Sequence, residues 1–182
     1  MKKILMVLLS CLFMTGCSLT EQKASDAVKD YLSQYNNLSD TVVVDIATLV
    51  DSENLNDDQK KVYEKVLEKQ YQDLSYKINN EEYNGDSAEV EVTITVYDLY
   101  KAQTDAATYL SNNLEEFNGT NGSYDNEKYM DYKLEQMKKM TDTVEYTIDF
   151  KVKKVDDKWV VEQLSTEDLE KIHGIYNYSI AS

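Results

Sequence analysis

Glu89-Val90-Glu91-Val92-Thr93-Ile94-Thr95-Val96 alternates polar and apolar residues without a break. Successive side chains of an extended strand point to opposite faces. The run therefore sets four aliphatic groups on one side and two carboxylates and two hydroxyls on the other. It predicts a strand with one dry and one wet face, as in an antiparallel sheet covered on a single side. Upstream, Leu74, Tyr76 and Ile78 alternate in the same way, and Asn84-Gly85 offers a turn that tolerates positive φ. The two runs make a hairpin whose register the extra residues before Asn84 leave open. A second hairpin follows near the end of the chain. Val144, Tyr146, Ile148, Phe150 and Val152 share one face, Asp156-Asp157 form the turn, and Trp159-Val160-Val161 return.

Helical spacing surrounds these hairpins. Ala24, Ala27, Val28, Tyr31, Leu32 and Tyr35 recur every three or four residues and predict a first helix. Asn56 with Gln59 reads as an N-cap and its reciprocal partner, opening a helix that carries Val62, Tyr63, Val66, Leu67 and Gln70 on one side. Residues 41–50 fit two readings: Val42-Val43-Val44 favours strand, whereas Ile46, Leu49 and Val50 extend a helical face. Between the hairpins, Ala102, Ala106, Leu110, Leu114 and Phe117 mark one helix and Met130, Leu134 and Met137 another, joined by the loop Asn118-Gly119-Thr120-Asn121-Gly122-Ser123. Ser165-Thr166-Glu167-Asp168 caps a short final helix. The order predicts one α+β domain over residues 24–182. About four antiparallel strands pack on N-terminal helices, with a helical insertion between the hairpins.

Composition narrows the function classes. The 182 residues are 42% apolar and 29% charged, the range of an ordinary globular domain. All 19 basic residues are Lys against 34 acids, for a net charge of −15. No nucleic-acid partner is expected, because affinity for a phosphate backbone rests on cationic side chains. One His and two Cys leave almost nothing for a zinc site, a catalytic triad or a disulfide framework. Asp51-Ser52-Glu53 and Asp156-Asp157 lack the alternating ligands of a calcium loop, and no phosphate-cradling glycine loop or H-E-x-x-H pattern occurs. Neither a metal nor another dissociable cofactor is expected.

The N-terminus reads as an address. Lys2-Lys3 precede an apolar run from Ile4 to Met14, too short to span a bilayer as a helix but long enough for a signal-peptide core. Met14-Thr15-Gly16-Cys17 follows and resembles the lipobox of bacterial lipoproteins, although Met14 stands where Leu is usual. The resemblance implies that residues 1–16 are a lipoprotein signal peptide and that Cys17 carries a diacylglyceryl thioether. Residues 17–23 would then be the lipidated Cys and a short tether, holding the domain on the extracytoplasmic face of the cell membrane. Leu8-Leu9-Ser10-Cys11 spells a second lipobox, and an ordinary signal peptide with a spectator cysteine is the third reading. Losing residues 1–16 removes two Lys and no acid, moving the charge from −15 to −17. Such a body is expected to stand off from anionic lipid and wall polymers.

The hairpin from Phe150 to Val161 resembles that of small bacterial lipoproteins with a nuclear transport factor 2-like domain. The likeness implies a curved sheet wrapped around N-terminal helices as a cone, with residues 100–140 inserted. A cystatin-like layout or an unrelated α+β sandwich stays open. Enzymes of this fold place acid/base groups inside the cone, whereas here Glu89, Glu91, Glu145 and Asp149 have the opposite parity to the apolar face. The expected function is therefore a membrane-anchored binding or interaction module without enzymatic activity. Its partner would be a small apolar molecule, a peptide or an envelope protein. Tyr76, Tyr97, Tyr146 and Trp159 are candidates for a ligand-lining surface, set against plain strand packing. Tyr124, Tyr129 and Tyr132 form a candidate exposed contact face. His173 reads either as a base or pH switch, or as a cation at a helix C-terminus closed by Gly174. An envelope enzyme of ketosteroid-isomerase type and a structural accessory lipoprotein of a transporter are the alternatives.

Overall fold

The computed structural model of the chain describes residues 22–179. Residues 1–16, expected to be a signal peptide, lie with Cys11 and Cys17 outside the described residues. Helices α1 (Ala24–Asn36), α2 (Asp40–Ser52) and α3 (Asp57–Gln72) precede strands β1 (Ser75–Asn84) and β2 (Ser87–Tyr97). Then come α4 (Leu99–Asn112), one 3-10 turn over Leu114–Phe117 and α5 (Asn126–Lys139), and finally β3 (Thr143–Val155), β4 (Lys158–Val161) and α6 (Thr166–His173). The strands make one curved antiparallel sheet in the order β1-β2-β3-β4. The mixed α+β architecture, the four strands and the helices between the hairpins agree with the sequence reading.

Alternation dictates the layering. Val90, Val92, Ile94 and Val96 of β2 and Ile148, Phe150 and Val152 of β3 are buried on one face. Val28 and Leu32 of α1, Leu67 and Tyr71 of α3, and Ile172 of α6 join them in a single core. Each such side chain contributes roughly 1.5–3 kcal/mol when fully withdrawn from water, so burying this stripe overrides local preferences. Helix α2 shows the effect. The β-branched run Val42-Val43-Val44 would suit a strand, yet Val42, Ile46 and Val50, four residues apart, are the buried ones. The Ser39 hydroxyl caps the helix, and Val43 and Val44 are left 46% and 56% exposed.

The extra residue before Asn84 is absorbed by a bulge. Ile78 pairs with Val92 and Asn80 with Glu91, leaving Asn79 without a partner across the ladder. Tyr76 and Ile78 before the bulge, and Glu81 and Tyr83 after it, consequently share the row parity of the dry face. At the other hairpin Asp156 and Asp157 have φ of 49° and 62°, the two positive values that a tight right-twisted hairpin turn demands. The anticipated caps form: Asn56 Oδ1 accepts from the Asp58 and Gln59 N–H groups while Gln59 Oε1 accepts from the Asn56 N–H. Gln59 Nε2 also donates to Asp131 Oδ1 at 2.8 Å, tying α3 to α5.

Two side-chain amides, Asn36 half-buried and Gln70 fully buried, lock the helices to the sheet. Asn36 Nδ2 at the end of α1 donates to Tyr71 O and Leu74 O, at 2.9 and 2.8 Å. Gln70, fully buried on α3, donates to Tyr97 O at 3.2 Å and accepts from the Tyr97 N–H at 3.0 Å. Its side chain does for the last residue of β2 what a neighbouring strand would do. Gly174 ends α6 with φ of 71°, directly against that amide.

Candidate functional site

The four aromatic candidates do not converge. Tyr76 and Tyr146 flank Ile94 in one row across β1, β2 and β3 on the dry face. Tyr76 is half-buried. Tyr146 is buried, its ring edge-on to Tyr176 at 5.6 Å. Its hydroxyl is the one buried side-chain oxygen or nitrogen without a hydrogen-bond partner among the described residues, and burial pushes the phenol pKa up. Trp159 pairs with Lys154, eight residues along β3 from Tyr146, roughly 26 Å at strand spacing. Its ring packs edge-on to Tyr83 at 5.6 Å, and its backbone N–H donates to Gln22 Oε1. Tyr97 follows Val96 in β2 and so belongs to the wet face. There its hydroxyl donates to Asp73 Oδ2 at 2.8 Å and Lys69 Nζ sits 3.5 Å from the ring centre.

The concave side between these residues is occupied by protein. Val28, Leu32, Leu67 and Ile172 all lie there with no exposed surface. The carboxylates flank the opposite side: Glu89, Glu145 and Asp149 are exposed and Glu91 is half-buried. Among the described residues no three His, Cys, Asp or Glu side chains gather where they would hold a metal ion.

Open surface occurs elsewhere. A groove of about 350 Å³ between α4 and α5 is lined by Asp105, Tyr109, Tyr132, Gln136, Lys139 and Asp142, among others. The Tyr109 and Tyr132 rings stack at 4.9 Å and 23°, and buried Phe117 stands edge-on to both and to Tyr129. Two of the tyrosines anticipated as a contact face, Tyr129 and Tyr132, are thus tied into an aromatic cluster, and Tyr124 is 46% exposed. Tyr109 continues the buried Leu99, Ala102, Ala106 stripe of α4 but was not singled out from the sequence, and only the tertiary contact with α5 brings it to Tyr132. A second groove of about 400 Å³ lies at the free end of the β1–β2 hairpin beside Tyr83, Ser87, Lys151 and Glu162. The tip of this hairpin also meets the start of α1, where the Ala24 N–H donates to Tyr83 Oη.

His173 belongs to neither groove, and its role differs from both sequence readings. Tyr71 approaches its Nδ1 at 2.6 Å. Burial depresses its pKa to about 4, so the ring is neutral at physiological pH. A neutral imidazole supplies no positive charge to the C-terminus of α6. The Tyr71 phenol, whose own pKa burial raises well above 10, stays protonated and shares a hydrogen bond with Nδ1. Gly174 ends the helix as expected, with the Ile175 N–H reaching back to Glu170 O at 3.0 Å. Among the described residues no helix is long and apolar enough to cross a membrane. In comparisons with known proteins, no family model, no curated protein and no solved structure matches this chain.

Proposed function

We propose that the chain is an extracytoplasmic lipoprotein, anchored through a diacylglyceryl group on Cys17, that works as an interaction module through its outer surface. The observation that carries the anchor is the run Lys2-Lys3, the short apolar core and Met14-Thr15-Gly16-Cys17. Two acyl chains give a stable hold on a bilayer where one gives a marginal hold. Four residues lie between Cys17 and Gln22, so the five Cα–Cα steps reach at most about 18 Å. Gln22 accepts from the Trp159 N–H, so the tether would meet the body at its β4 end. The module reading draws support from the packed concave face, which leaves the outside of the domain as the place to meet a partner. The meander order and the helices against the concave face are in keeping with a nuclear transport factor 2-like domain carrying α4 and α5 as an insertion. An isomerase-type catalyst would need a shielded carboxylate; Glu145 and Asp149 do not supply one, since both are exposed.

The test is metabolic labelling with radiolabelled palmitate followed by membrane fractionation. Cys17→Ala is expected to abolish the label and release the protein from membranes. Labelling that survives Cys17→Ala but is lost in Cys11→Ala would transfer the anchor to the other thiol. Labelling lost in neither variant would end the proposal.

A further inference from the structure

Strand β2 occupies one side of β3 along its length, but β4 occupies the other side only from Val152 to Val155. Two hydrogen bonds fix the direction of the remaining backbone groups. The Lys154 N–H donates to Asp86 O on the β2 side, and Lys151 O accepts from the Glu162 N–H on the β4 side. The β2–β3 register has no shift, so the alternation carries back along the strand. The N–H and C=O groups of Glu145, Thr147 and Asp149 therefore point away from β2. None of them has a hydrogen-bond partner among the described residues, and all three residues are exposed.

Sheet edges are normally defended by bulges, lysines, prolines or short strands. The opposite edge, β1, has a bulge at Asn79 and a charged residue at Lys77. From Thr143 to Phe150, β3 has no Pro, no Lys and no register shift. Its wet side carries Glu145 and Asp149 on either side of Thr147, with Glu91 opposite Asp149 and Glu89 one wet-face position further along β2, opposite Lys151. Among the described residues, none of these four acids is ion-paired with a lysine. Two copies of this edge paired antiparallel about Thr147 would set Glu145 against Asp149 twice, which repels. An incoming strand with lysine or arginine at alternate positions would instead lie opposite both acids.

We propose that the open edge of β3 is a strand-addition site that takes an extended, basic segment of a partner protein as a fifth strand of the sheet. Main-chain hydrogen bonds to Glu145, Thr147 and Asp149 supply the register, and the alternating acids select the charge. The proposal deepens the interaction-module reading and rests on it for its setting, but not on the anchor at Cys17.

The probe is a capped, fluorescent peptide, Thr-Lys-Val-Thr-Val-Lys-Thr, and its counterpart with Glu in place of Lys. Binding is followed by anisotropy with the full chain in mild detergent, both unaltered and as Cys17→Ala. The lysine peptide should bind both chains alike and about tenfold or more tightly than the glutamate peptide. Thr147→Pro removes an outward N–H and should weaken binding about tenfold, the equivalent of one hydrogen bond. Its urea midpoint should hold, because that N–H has no partner to lose. Asp149→Lys, a surface change, should reverse the preference between the two peptides. Amide exchange at Glu145, Thr147 and Asp149 should be fast in the free protein and slowed by the lysine peptide.

Equal binding of both peptides, or binding untouched by either substitution, would overturn the proposal. So would slow exchange of these amides in the free chain, and a dimer in sedimentation with the same amides slowed would assign the edge to self-pairing. Because the Cys17→Ala chain is included, a failed anchor and a failed strand site give different results.

Discussion

Replacing Gly174 with Ala should be among the most damaging single changes available to this domain, and three contributions can be separated. With φ at 71°, the position is left-handed, which for a residue bearing a Cβ costs about 1–2 kcal/mol. A Cβ there would collide with Gln70 Nε2 and Tyr97 O and lie 3.2 Å from Gln70 Cδ. Tyr97 O is backbone at the end of β2, and the Gln70 amide is held by two hydrogen bonds, so neither can yield cheaply. Displacing that amide forfeits two buried hydrogen bonds at about 1 kcal/mol each. The sum is about 3–4 kcal/mol, a large part of the 5–15 kcal/mol that a domain of this size typically has. Gly85 is the internal control: φ is 61° but nothing lies within 4 Å of a Cβ, so Gly85→Ala should cost only the conformational part, about 1–2 kcal/mol. Gly174→Asn separates strain from collision. Asn tolerates the left-handed conformation yet carries the same Cβ, so it should remain nearly as destabilising as Ala. Urea unfolding followed by far-UV circular dichroism and Trp159 fluorescence measures all three variants. Gly174→Ala falling within 1 kcal/mol of Gly85→Ala would refute the collision argument.

Other consequences follow from the buried polar groups. His173 titrates near 6.5 when unfolded and about 4 when folded, so the unfolded chain binds more protons between those values. This contribution is complete above pH 6.5, is lost as pH falls towards 4, and amounts to about 3 kcal/mol across the whole shift. His173→Gln should flatten the stability profile between pH 6.5 and 5, and an unchanged slope would contradict the neutral, buried ring. Tyr146→Phe deletes a buried hydroxyl that has no partner among the described residues, so stability should stay level or rise by about 1 kcal/mol. A loss above 1 kcal/mol in thermal or urea unfolding would show that this oxygen is hydrogen-bonded after all.

How far the chain could be read in advance depended on the range of the forces involved. Alternation in Glu89–Val96, the Asn56–Gln59 box, the Ser165 cap and the Asp156-Asp157 turn are local matters, decided within a few residues by backbone geometry. The two hairpins, their dry faces and the order of the helices were accordingly evident. Residues 41–50 were not, because β-branched preference and helical spacing conflict there and only burial against the rest of the core chooses. The tyrosines were misleading for a related reason. Tyr97 and Val96 are neighbours in sequence and lie on opposite faces of the sheet, while Tyr109 and Tyr132 are 23 residues apart and stack. His173 reads as a base or pH switch, or as a cation at a helix C-terminus, until the contact with Tyr71 is seen. Local residue patterns set which segments become strands and helices, which face of each is dry, and the motif at Cys17. Tertiary structure alone decided how little of β3 is covered by β4, that the concave side is filled, and that the imidazole is neutral. Those outcomes depend on what lies within a few ångströms across the fold, and no spacing along the chain encodes that distance.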